Sequence, residues 1–192
     1  MTSPLSEIGT VTIVRHPELT EQVRADIADI WHATTANGTP LEEDPPRTKH
    51  DSVNAADRAL AAVERGDDHL WVAFDGPTVI GAVFLVANAS RSEQHWMHVK
   101  AMMVRPSRQR GGVGSLLLEA AHRYAQVELR LDRLLLTVRR GTGAAEFYER
   151  HGYRVVGWLP RVTRTPSGDR DNWSMTREMQ SDPDDAYPGL LQ

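Results

Sequence analysis

The chain has 192 residues, a quarter of them charged and 40% apolar, with a net charge of −4. That is the composition of one globular domain large enough to bury its own core. It argues against binding nucleic acid through a basic surface. It also offers no run of about 18 apolar residues to span a membrane. No cysteine occurs, which excludes disulfides, thiolate metal sites and cysteine nucleophiles. The N-terminal MTSPLSEIGT lacks the basic-then-apolar order of a secretion signal, so a cytoplasmic protein is expected.

Val11 to Arg15 alternates like a first strand, and Pro17 closes it. From Thr20 to Ala36 the residues Val23, Ile27, Ile30 and Trp31 recur at helical spacing until Asn37-Gly38 stops the run. Thr39 to Asp51 carries three prolines and the acidic run Glu42-Glu43-Asp44, and is expected to be a loop. Ser52 to Arg65 is a second predicted helix, ended by Gly66. His69 to Phe74 and Thr78 to Val86 predict a hairpin across Asp75-Gly76-Pro77. After a polar connection from Asn88 to Trp96, His98 to Val104 is a strand whose apolar end predicts burial on both faces. A helix follows from Ser115 to Leu129, with Leu116, Leu117, Ala120, Ala121 and Tyr124 directed at the core. Leu134 to Val138 is a short apolar strand, and Thr142 to His151 a helix with Gly152 as its left-handed cap. Tyr153 to Leu159 and Trp173 to Met179 are the last strands, separated by the turn Thr165-Pro166-Ser167-Gly168-Asp169. The order predicts a mixed α/β domain over 1–180 rather than an alternating parallel one. The acidic, proline-containing residues 181–192 are expected to form a tail.

Between the predicted strand and the helix lies Gln109-Arg110-Gly111-Gly112-Val113-Gly114-Ser115. Glycines let backbone approach a ligand without a Cβ in the way. A helix start presents unpaired N–H groups and partial positive charge. Together these predict an anion site suited to phosphate, with Arg108 and Arg110 adding charge at its mouth. The Gly-Lys-Ser/Thr ending of a Walker loop is absent, and Leu117 stands where a dinucleotide fingerprint needs Gly or Ala.

Met102-Met103-Val104-Arg105-Pro106 followed by Gln109-x-x-Gly112-x-Gly114 resembles the strand and glycine signature of the GNAT acetyltransferases. Ala144-Ala145-Glu146-Phe147-Tyr148-Glu149-Arg150-His151-Gly152-Tyr153 resembles that family's second block, and the C-terminal half is most similar to tabtoxin-resistance-type members. Gly141 departs from the pattern, because many members carry Asn there. The resemblance implies a mostly antiparallel twisted sheet of about seven strands with one splayed pair, flanked by about four helices. It implies acetyl-CoA as co-substrate and no metal. Met102, Met103 and Val104 would pair with the pantetheine arm, and the amides of Arg110 to Ser115 would hold the pyrophosphate. A bulge in the strand before the loop is expected to let the cofactor in. Many relatives dimerise, so a homodimer is allowed for.

An amine attacks a thioester only when unprotonated, so such an enzyme must take up a proton, stabilise an oxyanion and protonate a thiolate. The resemblance implies that Tyr148 donates the proton to sulfur, and a backbone N–H near Met103 is placed to serve the oxyanion. His98, on the cofactor strand, is the base candidate, since its pKa lies near neutrality; Glu93 and His95 are weaker candidates. Strand alternation puts His98, Lys100, Met102 and Val104 on one face unless a bulge intervenes. Glu43, Asp44, Lys100 and Asp169 are expected at the acceptor site, with Asp171 a similar guess. The leading expectation is acetyl transfer to a primary amine of a small molecule by direct attack. The alternatives are acetylation of a protein N-terminus or lysine, and a non-catalytic acyl-CoA-binding module.

Overall fold

The computed structural model describes residues 11–36, 48–164 and 168–179. The predicted mixed α/β class holds: among the described residues seven strands and four α-helices run in the order β1 (Val11–Arg15), α1 (Glu21–Ala36), α2 (Lys49–Glu64), β2 (His69–Asp75), β3 (Thr78–Val86), β4 (Trp96–Val104), α3 (Val113–Val127), β5 (Arg133–Arg139), α4 (Ala144–Glu149), β6 (Arg154–Thr163) and β7 (Arg170–Glu178). One sheet joins all the strands in the order β1-β2-β3-β4-β5-β7-β6. Only β4 and β5 run parallel; the other neighbours are antiparallel. Among the described residues no helix is long and apolar enough to cross a membrane.

A core lies on each face of the sheet. On one face α3 and α4 bury Leu117, Leu118, Ala121, Leu134, Leu136 and Met175. On the other, α1 and α2 bury Ile27, Trp31, Leu60, Leu70 and Phe84. This double cover explains why β2 and β3 are almost continuously apolar.

Local chemistry sets the ends of the elements, and it corrects three expectations. Helix α2 starts at Lys49, inside the expected loop, because Thr48 and Asp51 form a capping box. Helix α4 is shorter than expected, because Gly143 stands at φ 74° before Ala144. It ends at Glu149 rather than His151, but the cap is as expected: Gly152 at φ 83° lets its own N–H reach the Glu149 carbonyl (3.0 Å) and the Tyr153 N–H reach that of Tyr148 (3.1 Å). The core face of α3 is Val113, Leu117, Leu118, Ala121, His122 and Ala125, whereas Leu116 points to solvent.

Gly81 in β3 sits where the sheet, α3 and β4 press together. A Cβ there would stand 2.9 Å from the Met103 carbonyl and 3.1 Å from Leu117 Cδ1. Gly81→Ala is expected to cost about 1–3 kcal/mol through overpacking, read as a lowered thermal midpoint. An unchanged midpoint would show that β4 yields freely at this point.

Candidate active site

The site is built where the sheet opens. Strands β4 and β5 pair only at Trp96–Arg133, Met97–Leu134 and His98–Leu135. Beyond His98, β4 keeps only β3 as a neighbour, so its other edge faces a gap with unpaired backbone groups. That is the splayed pair the resemblance implied.

The expected bulge is also present. Ala82 faces Met103 and Phe84 faces Lys100, so Ala101 and Met102 together oppose Val83. Ala101 takes φ 46°, unusual for a residue with a Cβ and sustained only by the packing around it. The extra residue reverses the alternation. Met97 and Val99 belong to the α3/α4 core, but after the bulge Ala101 and Met103 belong to the α1/α2 core, while Met102 and Val104 pack with α3. The single shared face for His98, Lys100, Met102 and Val104 is therefore corrected. His98 and Lys100 look toward the α1/α2 side and Met102 and Val104 toward the other.

At the end of β4 the chain turns through Pro106–Arg108 into the glycine loop. Arg110 (φ 63°) and Gly112 (φ 82°) both take left-handed backbone, and Gly112 is the N-cap of α3. The first bond from the helix start is the Leu116 N–H to the Gly112 carbonyl. The six amides from Arg110 to Ser115 meet no acceptor among the described residues. A row of unpaired N–H groups at a helix start, on alternating left-handed backbone, is an anion cradle that fits a diphosphate. Gln109 ties the loop down, its side-chain amide donating to the Val104 carbonyl at 3.1 Å. Gly114 lies beside Phe147 of α4, where a Cβ would meet Phe147 Cζ at 3.4 Å, an ordinary contact.

The arginines divide their work. Arg108 is ion-paired with Asp75, and Arg105 donates to the Val79 carbonyl at 3.1 Å and lies 3.7 Å from Asp26. Arg110 has no ion pair among the described residues. The charge expected from Arg108 is thus largely spent on Asp75, and Arg110 is the cation left for an anionic ligand.

Tyr148, beside Phe147 on α4, is buried against the ring of Tyr153, with centroids 5.5 Å apart. Burial pushes its phenol above the usual range, so it stays protonated at neutral pH. Its hydroxyl has no hydrogen-bond partner among the described residues. His98, half-buried, packs edge-on against Trp96 at 4.8 Å. Burial, and then the Lys100 ammonium, lower its pKa, while Glu93 acts in the opposite sense. The imidazole is therefore neutral and able to accept a proton. Tyr148 belongs to the α3/α4 core, and the alternation of His98 with Met97 and Val99 sets it toward the α1/α2 side, so the two lie on opposite faces of the sheet.

Among the remaining candidates, Lys100 is exposed on β4. Asp169 faces the Arg164 guanidinium, whose Nε lies 3.3 Å from its carboxylate. Asp171 accepts from the Arg161 backbone N–H at 3.0 Å, which holds its carboxyl below the usual range. His95 precedes β4 and lies off the strand. Glu43 and Asp44 lie outside the described residues. A cleft of about 260 Å³ lined by His69, Asn88, Trp96 and Leu131 opens at the start of β4, at the opposite end from the glycine loop.

One buried network escaped sequence reasoning. His122 Nε2 lies 3.0 Å from the Tyr153 hydroxyl. Arg177 donates to His122 Nδ1 (2.6 Å) and to the His151 carbonyl (2.7 Å). Burial, followed by the Arg177 charge, pushes the His122 pKa down to about 3, so a neutral imidazole accepts from arginine and donates to tyrosine. The network fixes Tyr153, and through it the ring packed on Tyr148. The signal was present in the sequence, because His122 lies four residues after Leu118 and three before Ala125 on the core stripe.

Residues 66–155 match the family model of the acetyltransferase (GNAT) domain. That stretch is similar to a GNAT acetyltransferase domain. This region holds β4, its bulge, the glycine loop and Tyr148. An acetyltransferase from Salmonella typhimurium, provisionally named and solved with its cofactor acetyl-CoA, superposes with a TM-score of 0.74 at 16% identity, covering 94% of this chain and 98% of that one. A structure provisionally named phosphinothricin N-acetyltransferase gives 0.71 at 18%, covering 89% and 99%. The ribosomal-protein-alanine N-acetyltransferase of Brucella melitensis gives 0.73 at 18%, covering 87% and 99%. At these identities the likeness is one of fold. No curated protein matches the chain by sequence.

Proposed function

We propose that the protein transfers the acetyl group of acetyl-CoA to a primary amine of a small molecule by direct attack, both substrates being bound together. The observation that carries this reading is the row of unpaired amides from Arg110 to Ser115 at the end of a bulged, half-unpaired strand. Acetyl-CoA supplies an activated acyl thioester. The chain's own groups do the rest. The amides and Arg110 bind the diphosphate. The free edge of β4 at Met102, Met103 and Val104 offers backbone donors and acceptors to an extended amide arm, as a strand edge would. A backbone N–H next to the bulge, near Met103, faces the charge that develops on the acyl oxygen. His98 takes a proton from the amine on the α1/α2 side, and Tyr148 gives one to sulfur from the other. Opposite placement suits the reaction, because attacking nitrogen and departing sulfur lie on different sides of the carbonyl carbon. Lys100, Asp169, Glu43 and Asp44 are assigned to acceptor binding, and no metal takes part.

The sign of the pH dependence follows from His98. Its pKa is lowered, so it is neutral and competent above its ordinary value of about 6.5, and activity falls as pH drops through the depressed pKa. The kcat/KM profile is expected to show an acidic limb below about 6.5. His98→Gln should remove that limb and lower kcat about 100-fold. A limb that survives the substitution assigns the proton to another group.

The direct test incubates the protein with acetyl-CoA and a panel of amines, including small molecules and alanine-ended peptides, and detects free thiol. Release that depends on a small amine supports the reading. Turnover with peptides alone moves it to protein acetylation, and no turnover with any amine removes it.

A further inference from the structure

A half-buried cation stands behind the tyrosine pair of the site. Arg177 on β7 has no carboxylate partner among the described residues. A guanidinium drawn out of water is costly unless something negative answers it. Arg177 instead donates to His122 Nδ1 at 2.6 Å and to the His151 carbonyl at 2.7 Å. Because Nδ1 accepts, the neutral imidazole carries its proton on Nε2, and that N–H donates to the Tyr153 hydroxyl oxygen at 3.0 Å. The hydroxyl's own hydrogen is thereby directed away from His122, on a ring that meets Tyr148 edge-on. Burial raises the Tyr153 pKa most, charge on Tyr148 raises it further, and the Arg177 charge acts in the opposite sense. Both phenols and the cation therefore share one field.

We propose, resting on Tyr148 as the acid, that Arg177, His122 and Tyr153 are positioning residues that carry the arginine's charge to the phenolate formed when Tyr148 protonates sulfur. In that step the Tyr148 O–H bond breaks, an S–H bond forms, and the electron pair stays on the phenolic oxygen. Solvent returns the proton that His98 releases, which closes the cycle. Tyr148 is buried, so water solvates the new charge poorly, and a bare phenolate there is costly. Tyr153 answers it with a hydrogen bond polarised in turn by His122 and Arg177. No proton moves along the chain. The same guanidinium steadies the helix that carries Tyr148. Helix α4 has six residues, too few to hold its shape alone, and the bond to the His151 carbonyl ties the turn after it to β7.

Tyr153→Phe keeps the ring and removes the hydroxyl. With the most active amine of the panel it is expected to lower kcat about 10-fold to 100-fold. The KM for acetyl-CoA should stay within about threefold. Arg177→Met should act alike, and Arg177→Lys, which restores the charge, should recover part of the loss. Circular dichroism and the thermal midpoint check that each variant folds. The deciding measurement places Tyr153→Phe in the Tyr148→Phe background, where it should lower kcat no further. A defect of equal size in both backgrounds assigns Tyr153 to the fold alone and overturns the inference. Unchanged kcat in Tyr153→Phe beside a slow Tyr148→Phe overturns it too, and leaves the acid assignment standing. Normal turnover in Tyr148→Phe removes the acid, and the inference with it.

Discussion

Tyr148→Phe is expected to lower kcat about 100-fold to 1,000-fold while changing the KM for acetyl-CoA by less than about threefold. The substitution removes one oxygen and keeps the ring that packs on Phe147 and Tyr153, so the thermal midpoint should stay where it is. The phenol is buried and held protonated by desolvation, which leaves a proton available at every pH at which the enzyme works. Without it the thiolate departs unprotonated, and only the chemical step suffers. Stopped-flow or steady-state kinetics with an identified amine reads the result. Normal turnover in this variant would show that Tyr148 is a core aromatic and that sulfur takes its proton elsewhere.

Gly112→Pro is expected to weaken acetyl-CoA binding at least about 100-fold, equivalent to roughly 2.7 kcal/mol. Two losses combine. Gly112 holds φ 82° as the N-cap of α3, whereas proline is locked near −65°, so the turn that aims the neighbouring amides cannot form. Proline also deletes one of the six unpaired N–H groups. Titration calorimetry measures the loss directly, and circular dichroism shows whether α3 survives. Affinity within a few-fold of wild type would mean that the diphosphate is held somewhere other than this loop.

Most of the fold was legible because its signals are local. Gly76-Pro77 joins β2 to β3, and Gly152 caps α4, each where backbone chemistry requires it. The glycine loop was legible for the same reason. What stayed hidden depends on contacts distant in sequence. A bulge was expected from the resemblance, but nothing in Val99-Lys100-Ala101-Met102 fixes its position, because Ala101 adopts φ 46° only under the packing of β3 and the helices. The alternation that placed His98 with Met102 therefore failed at one residue. Strand β6 shows the converse. Its apolar run Val155-Val156-Gly157-Trp158-Leu159 predicted a strand correctly, but burial depends on what lies beside it, and here that side is open. Pro160 hid the strand's true length, since proline is admitted where a register break on an edge demands no N–H. The capping box of Thr48 and Asp51 was present in the sequence, masked by the neighbouring prolines.

The central claim is that main-chain amides at the start of α3 grip a diphosphate. It is tested most directly by calorimetric titration with acetyl-CoA and, separately, with acetyl-pantetheine, which lacks the diphosphate and the nucleotide. Saturable binding of the first and no measurable binding of the second is the predicted result. Equal affinities, or no heat from acetyl-CoA at millimolar concentration, would contradict it.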